Sequence, residues 1–432
     1  MWALTALVIT LLMLILMGMG LPVAFTMIAI GLGGLWMSVG PDMALSLLGE
    51  NMFSIAANQG LAPIPLFVLM GMIFLKSGIG EDLFLTVQTW MGRIPGGMAG
   101  ASVGACAVFG AMCGSSTATT ATIGTIATPS MIKAGYDKSL ASGVVAAAGA
   151  LGPVIPPSIY MIVYGITAEE SIGKLFIAAI VPGFLLAAIM IIQVVFMVLK
   201  NPEIAPFTTS TTLAQKFQSL RGLIAPIIIV FLVLGSIYLG FGTPTEAAAV
   251  GAAGSIIVAS VSRRLTLSEF IDALKTTVSF SCMVMLLIVG GSLFGKLFTL
   301  ELIPQSLGNF IVGLPIHDLL IMVGIQVVIF IAGFFIEGCA LIIILTPVFL
   351  PAVKAIGFDP IVFGVAMMIN LATAVITPPF AANLYVMKGI LPNVSFEEIA
   401  RGALKFIVAD VVVLILVIVF PALSLWLPGL MK

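Results

Sequence analysis

Apolar residues run along this chain in blocks too long and too even for the amphipathic helices of a soluble core. A helix that crosses a bilayer needs about 20 consecutive apolar residues. Such blocks lie at 2–19, 22–39, 62–76, 172–199, 222–240, 245–261, 278–298 and 403–427, with 62–76 short, and they predict ordinary crossing helices. Four further apolar stretches, 97–130, 138–166, 318–353 and 360–390, are interrupted by Gly or Pro. Interruptions of that kind predict re-entrant hairpins (97–130 and 318–353) and broken helices (138–166 and 360–390). Polar residues mostly punctuate. Thr243-Pro244-Thr245-Glu246 reads as a capping box with Pro at the first helical position, and similar start signals stand at Thr167 to Glu170, Thr266 to Glu269 and Ser395 to Glu398. The one linker of consequence is Lys200 to Arg221, with Pro202, Pro206 and a Thr/Ser cluster.

That linker separates two halves, 1–215 and 216–432, that repeat at a constant offset. Gly20 and Gly242, Pro22 and Pro244, Pro129 and Pro351, Gly135 and Gly357, Asp137 and Asp359, and Pro156-Pro157 and Pro378-Pro379 are all 222 residues apart. If each half crosses five times and adds one hairpin that enters and leaves on the same side, the second copy is upside down. The predicted fold class is therefore an all-α integral membrane protein of two inverted-topology repeats, each with transmembrane helices, a re-entrant helical hairpin and a broken helix. Basic residues test the threading, because cytoplasmic loops collect Lys and Arg. With the N-terminus outside, thirteen fall inside (Lys76, Arg93, Lys133, Lys138, Lys200, Lys216, Arg221, Arg263, Arg264, Lys275, Lys388, Arg401, Lys405) and four outside (Lys174, Lys296, Lys354, Lys432). Both termini are expected on the periplasmic side, with the two hairpin tips approaching each other near the midplane.

Composition closes other classes. With 61% hydrophobic and only 8% charged residues, no water-soluble surface can be built. A net charge of −1 offers nucleic acid no electrostatic footprint. Cys106, Cys113, Cys282 and Cys339 form no CxxC pair, and the lone His317 supplies neither a multi-His metal site nor a Ser-His-acid triad. There is no GxxxxGK[ST] nucleotide loop. The first apolar run lacks a basic leader and a small-residue cleavage pattern, so it is expected to be retained.

Chemistry is concentrated where the helices break. Gly110 to Thr119 crowds small residues and hydroxyls into the first hairpin, which predicts an unwound tip. Carbonyls freed there need partners, and a Na⁺ ion beside the oxygens of Ser115, Ser116 and Thr117 would supply one. The plainer reading is close packing of Gly100 with Gly104 and Gly110 with Gly114. Gly149 to Ser158 carries three prolines mid-segment, and Thr373 to Phe380 is its mate. One proline alone means a kink, whereas paired breaks in an inverted repeat point to a transport site. Glu337 pairs with Ser115 at the 222 offset and puts an acid inside the apolar zone, which predicts a polar cavity, a cation or a substrate, or else a capped structural carboxyl. Asp410 is expected near the interface, and His317 is expected to be a loop or capping residue without a catalytic duty.

Taken together, Gly-Ser-Ser-x-Ala-Thr at 114–119, Pro129 to Tyr136, Ile155-Pro156-Pro157-Ser158, Gly242-Thr-Pro-Thr-Glu-Ala-Ala-Ala249 and Thr377-Pro378-Pro379 resemble the large membrane subunit of tripartite ATP-independent periplasmic (TRAP) transporters. The resemblance runs nearly end to end. It implies a sodium-driven elevator importer of carboxylated solutes (C4-dicarboxylate, sialic acid or similar) in the bacterial inner membrane. It further implies a periplasmic substrate-binding protein and a small membrane subunit on a separate chain, with Na⁺ as the coupling ion and no organic cofactor. Hairpins and broken helices would form the mobile part, and helices within 1–76, 172–199, 222–298 and 403–427 the scaffold. Carried over by position, Ser115, Ser116 and the break containing Gly152, Pro153 and Ile155 form the first Na⁺ region. Gly338, Thr373, Ile376 and Thr377 form the second, while Ser115, Ser158 and Glu337 border the solute. The site contains no arginine, so selection by an Arg clamp would fall to the binding protein. A proton-coupled stand-alone permease using Glu337, an intramembrane hydrolase using Ser115 or Ser116, and a purely structural subunit remain as alternatives.

Overall fold

The computed structural model describes residues 2–92, 94–206, 212–220, 223–379 and 381–431, and these are helical wherever they are regular. The first half runs α1 (Trp2–Gly18), α2 (Val23–Val39), α3 (Pro41–Ala56), α4 (Pro63–Lys76), α5 (Ile79–Met91), α6 (Gly97–Cys113), α7 (Ser116–Lys133), α8 (Lys138–Gly149), α9 (Ile159–Ala168) and α10 (Ile172–Lys200). A short α11 (Leu213–Ser219) precedes the second half, which begins with α12 (Ile224–Tyr238), α13 (Pro244–Val261), α14 (Leu267–Leu300) and α15 (Ile303–Val312). It continues with α16 (Asp318–Ala332), α17 (Gly338–Ala355), α18 (Pro360–Ala374), α19 (Ala382–Ile390), α20 (Phe396–Leu404), α21 (Ile407–Val419) and α22 (Ala422–Leu425). Among the described residues, six helices are long and apolar enough to cross a membrane.

Element boundaries recur with the sequence offset. α7 and α17 are both 18 residues long and start at 116 and 338, and the breaks before α9 and α19 each contain a cis X-Pro peptide, Pro156–Pro157 and Pro378–Pro379. The correspondence is looser where α3 and α4 of the first half meet a single helix, α14, in the second.

Several expectations are corrected. α14 begins at 267 rather than 278, because the Thr266–Glu269 capping box starts a helix whose first turns are polar. The apolar block 403–427 is divided, as the helix stops at Val419 ahead of Pro421. Thr167 to Glu170 starts nothing: α9 ends at Ala168 with Glu169 left-handed (φ 57), and Ser171 caps α10 by accepting from the Lys174 amide. The other capping boxes form as expected at Thr243–Glu246, Thr266–Glu269 and Ser395–Glu398. His317 caps α16 through Nδ1, which accepts from the Leu319 amide at 3.2 Å. Asp410 is fully buried among the helices. Helices α3, α5 and α15 carry too many polar residues to be read as apolar runs. Of the residues that argued the threading, Arg93, Arg221 and Lys432 lie outside the described residues, as does Phe380 of the second break.

Helix α14, about 50 Å long at 1.5 Å per residue, packs against α2, α3, α4 and α17. Toward its N-terminal end lie the ion pairs Lys76–Asp272 (3.9 Å) and Arg264–Asp82. Its C-terminal end shares a cavity lining with Glu169, next to the Lys354–Glu170 pair (3.9 Å). These exposed pairs add little stability, but they mark the two ends of the bundle.

Candidate functional site

Each hairpin turns at a residue whose side chain caps the returning helix. Ser115 is extended (φ −124) and accepts from the Ala118 amide at 3.4 Å, opening α7. Glu337, 222 positions later, is also extended (φ −63, ψ 148) and opens α17, with Oε2 accepting from the amides of Cys339 (2.9 Å) and Ala340 (3.4 Å). A carboxylate at a helix N-terminus satisfies donors that otherwise lack intrahelical partners and meets the positive end of the helix dipole. Its Oε1 accepts from the Tyr160 hydroxyl at 2.9 Å, so the second hairpin tip is tied to the first broken helix.

The two tips open onto one cavity of about 390 Å³. Ser115, Ser116, Thr117, Glu337 and Gly338 line it, together with Tyr160 of α9, Ala374 and Val375 of the second break, and Phe280 and Met283 of α14. The volume suits a small organic solute.

Close backbone approach holds the first tip against the first break. A Cβ on Gly110 would sit 2.7 Å from Gly152 Cα, and one on Gly152 would sit 2.8 Å from the Ser115 carbonyl oxygen. At Gly114 the chain is left-handed (φ 60), and a Cβ would sit 2.9 Å from the Pro157 carbonyl oxygen. All four glycines of the close-packing reading meet neighbours closely: Gly110 and Gly114 meet the first break, while Gly100 meets Met91 and Ile191 and Gly104 meets Val87. The Ser115 carbonyl, which points at Gly152, accepts from the Thr119 hydroxyl at 2.7 Å.

The other proposed residues lie around this cavity but do not line it. Ser158 is buried and caps α9 by accepting from the Met161 amide at 3.4 Å. Gly152 touches the Ser115 carbonyl, Pro153 lies in the same turn, and Ile155 faces a separate apolar cavity of about 470 Å³. In the second break Thr373 and Ile376 are buried, and the Thr377 hydroxyl donates to the Thr373 carbonyl at 2.8 Å.

Two residues of the site had no signal in a single sequence. Asn383 of α19 is fully buried; its Oδ1 accepts from the Ser116 hydroxyl and its Nδ2 donates to the Ala146 carbonyl, both at 2.8 Å. It therefore joins the first tip, the first broken helix and the second broken helix. Tyr160 is the other. Each partner is more than 170 residues away along the chain.

A second cavity, of about 710 Å³, lies farther along α14. Ser292, Lys296 and Thr299 line it from α14, with Asn51 from α3, Thr167 from α9 and Ile343 from α17. Lys296 forms no ion pair among the described residues.

The family model described as "Tripartite ATP-independent periplasmic transporter, DctM component" matches residues 10–423. The chain is 38% identical over 392 residues to the C4-dicarboxylate TRAP transporter large permease protein DctM of Pseudomonas aeruginosa, covering 90% of each. It is 32% identical over 412 residues to the sialic acid TRAP transporter large permease protein SiaM of Vibrio cholerae, covering 95% of each. Among solved structures, the YdaH transporter of Alcanivorax borkumensis superposes with a TM-score of 0.60 at 16% identity, over 90% of this chain and 89% of that one, a likeness of fold alone.

Proposed function

Since the chain belongs to the DctM family of tripartite ATP-independent periplasmic transporters, multi-pass membrane permeases and not enzymes, we propose that it imports carboxylated organic solutes by sodium symport. Its partners in this reading are a periplasmic substrate-binding protein and a small membrane subunit. Relatives named for C4-dicarboxylate and for sialic acid transport support that solute class. The observation that carries the reading is the meeting of two equivalent hairpin tips, capped by Ser115 and Glu337, at one cavity flanked by two broken helices. Discontinuous helices at a repeat interface present carbonyls and helix termini to ions and substrate. Ser115, Ser116, Thr117 and the Gly152–Ile155 turn are assigned to one sodium ion, and Gly338 with Thr373, Ile376 and Thr377 to another. Ser115 and Glu337 face the solute, and Ser158 supports them from behind.

The energetics are sufficient. If two Na⁺ ions accompany a monoanion, a tenfold Na⁺ gradient releases about 2.8 kcal/mol, and the one net positive charge crossing 100 mV adds about 2.3 kcal/mol. Their sum of about 5 kcal/mol sustains more than thousandfold accumulation.

We assign the hairpins and broken helices to a moving body that slides along α14, with the termini periplasmic and the repeats inverted. The two cavities lie at different heights on that helix: Met283 borders one and Lys296 the other, about 20 Å apart at helical rise. A carboxylate solute finds no basic side chain at the tips, where Glu337 is the acidic residue, but finds Lys296 in the second cavity. Lys296→Ala should raise the half-saturating solute concentration about tenfold, one charge-assisted contact being worth about 1.4 kcal/mol or more, while Lys296→Arg should stay near wild type. Uptake measured over graded concentrations of a C4-dicarboxylate and of sialic acid checks this.

The coupling is tested in proteoliposomes supplied with binding protein. Uptake should collapse when the Na⁺ gradient is removed at constant membrane potential, and uptake that persists unchanged would reject symport. Ser116→Ala, which removes the hydroxyl held by Asn383, should raise the Na⁺ concentration for half-maximal uptake about fivefold, since a hydrogen bond of such a buried group is worth about 1 kcal/mol.

A further inference from the structure

Asp410 is a carboxylate that the tip cavity does not use. It sits one turn into α21, fully buried, and neither of its oxygens has a hydrogen-bond partner. An uncompensated carboxylate in an apolar interior is strongly disfavoured, and acids retained within spans serve ions or protons. Helices α18, α10 and α16 pack against α21, and the Thr373 hydroxyl of α18, at the last turn before the second break, lies within reach of the carboxyl. That hydroxyl makes only a long contact, 3.3 Å, to the Ile369 carbonyl. One turn earlier on α18, Asn370 donates to both the backbone and side-chain oxygens of Gln326 (2.6 and 2.8 Å), which leaves Gln326 Nε2 without a partner. The equivalent of Asp410 in the first half, 222 residues earlier, is Ala188. The two breaks are therefore alike in backbone and unlike in charge.

We propose that Asp410 is the counter-charge of a sodium site at the second helix break, shared with the Thr373 hydroxyl, and that the first break has no such acid. The inference deepens the sodium reading and rests on it. One carboxylate among neutral oxygens matches a monovalent hard cation, and among the described residues no cluster of three or more His, Cys, Asp or Glu exists that would suit a divalent or transition metal. Asp410 would also make the two ions unequal: the one beside it binds more tightly, because ligand charge raises cation affinity.

Sodium alone is the probe. The thermal unfolding midpoint of the purified protein is followed against NaCl, with choline chloride holding ionic strength constant. Wild type should be stabilised by NaCl, and Asp410→Asn, which keeps shape and removes charge, should need about tenfold more NaCl for half the effect. Thr373→Ala keeps the carboxylate and should shift the same curve in the same direction by a smaller factor, so the test does not depend on recovering the Asp410 variant. An Asp410→Asn curve superimposable on wild type would overturn this inference alone, as would an unshifted Thr373→Ala curve. A wild type that ignores NaCl would overturn it together with the sodium reading.

Discussion

Glu337→Ala is expected to reduce solute uptake to the level of protein-free vesicles while the chain still reaches the membrane. Three contacts end on that carboxylate: the Cys339 and Ala340 amides and the Tyr160 hydroxyl. Loss of an N-cap costs about 1 kcal/mol, and the hydrogen bond lost by the half-buried Tyr160, which lines the tip cavity, is worth about 1 kcal/mol more. The expected loss of stability, about 2 kcal/mol from these terms, would loosen the second tip without unfolding the remaining helices. Glu337→Gln separates charge from shape, since an amide oxygen can still cap α17. If the Gln variant transports at the wild-type rate, the negative charge has no part in the cycle and Glu337 is only a cap. Tyr160→Phe, which keeps the ring packed against Gly338, should fall between wild type and Glu337→Ala in both uptake and thermal midpoint.

The second large effect is expected from a single carbon atom. Gly152→Ala would place a Cβ 2.8 Å from the Ser115 carbonyl oxygen and 3.1 Å from the Thr119 hydroxyl. The first neighbour is backbone and cannot rotate away, so the first tip must move off the break. Overpacking of this kind costs about 1–3 kcal/mol. If the strain falls on the sodium-bound arrangement, the Na⁺ dependence of uptake should weaken by about 5- to 150-fold. A sodium titration of uptake by the variant reads this directly. A curve identical to wild type would mean that the Ser115–Gly152 contact is not part of the ion site.

How much of this was legible beforehand differs from element to element. The hairpins, both breaks and the three capping boxes of the second half were legible because each depends on residues a few positions apart: Gly-Ser-Ser at a tip, Pro-Pro in a span, Thr or Ser three before Glu. His317 was legible only as a loop or capping residue, and the structure makes it the cap of α16. The Thr167–Glu170 signal failed because Ser171, one residue beyond it, captures the helix start. Helices α3 and α5 escaped because a search for apolar runs rejects Glu50, Asn51, Glu81 and Asp82, although a helix shielded by neighbours or lying at an interface tolerates them.

Asp410 shows a different limit. Around α21 nearly every position is apolar, since in a membrane the face toward lipid and the face toward protein are built from the same residues. Periodicity that would locate an acid on the buried side of a soluble helix is absent, so only packing against α18 revealed the burial. Asn383 and Tyr160 were hidden by distance along the chain, since their partners Ser116 and Glu337 come from the opposite half.

By itself, the sequence pointed to a chain that lives in lipid, to landmarks that recur at a 222-residue offset, and to where its helices must stop, because hydrophobic length, proline and capping chemistry act over a turn or two. The tertiary structure alone decided that the two stopping points face one cavity, that Asn383 and Tyr160 tie the halves together there, and that Asp410 is enclosed. Those outcomes depend on which surfaces meet, and side chains that meet across a fold leave no pattern in the local run of residues.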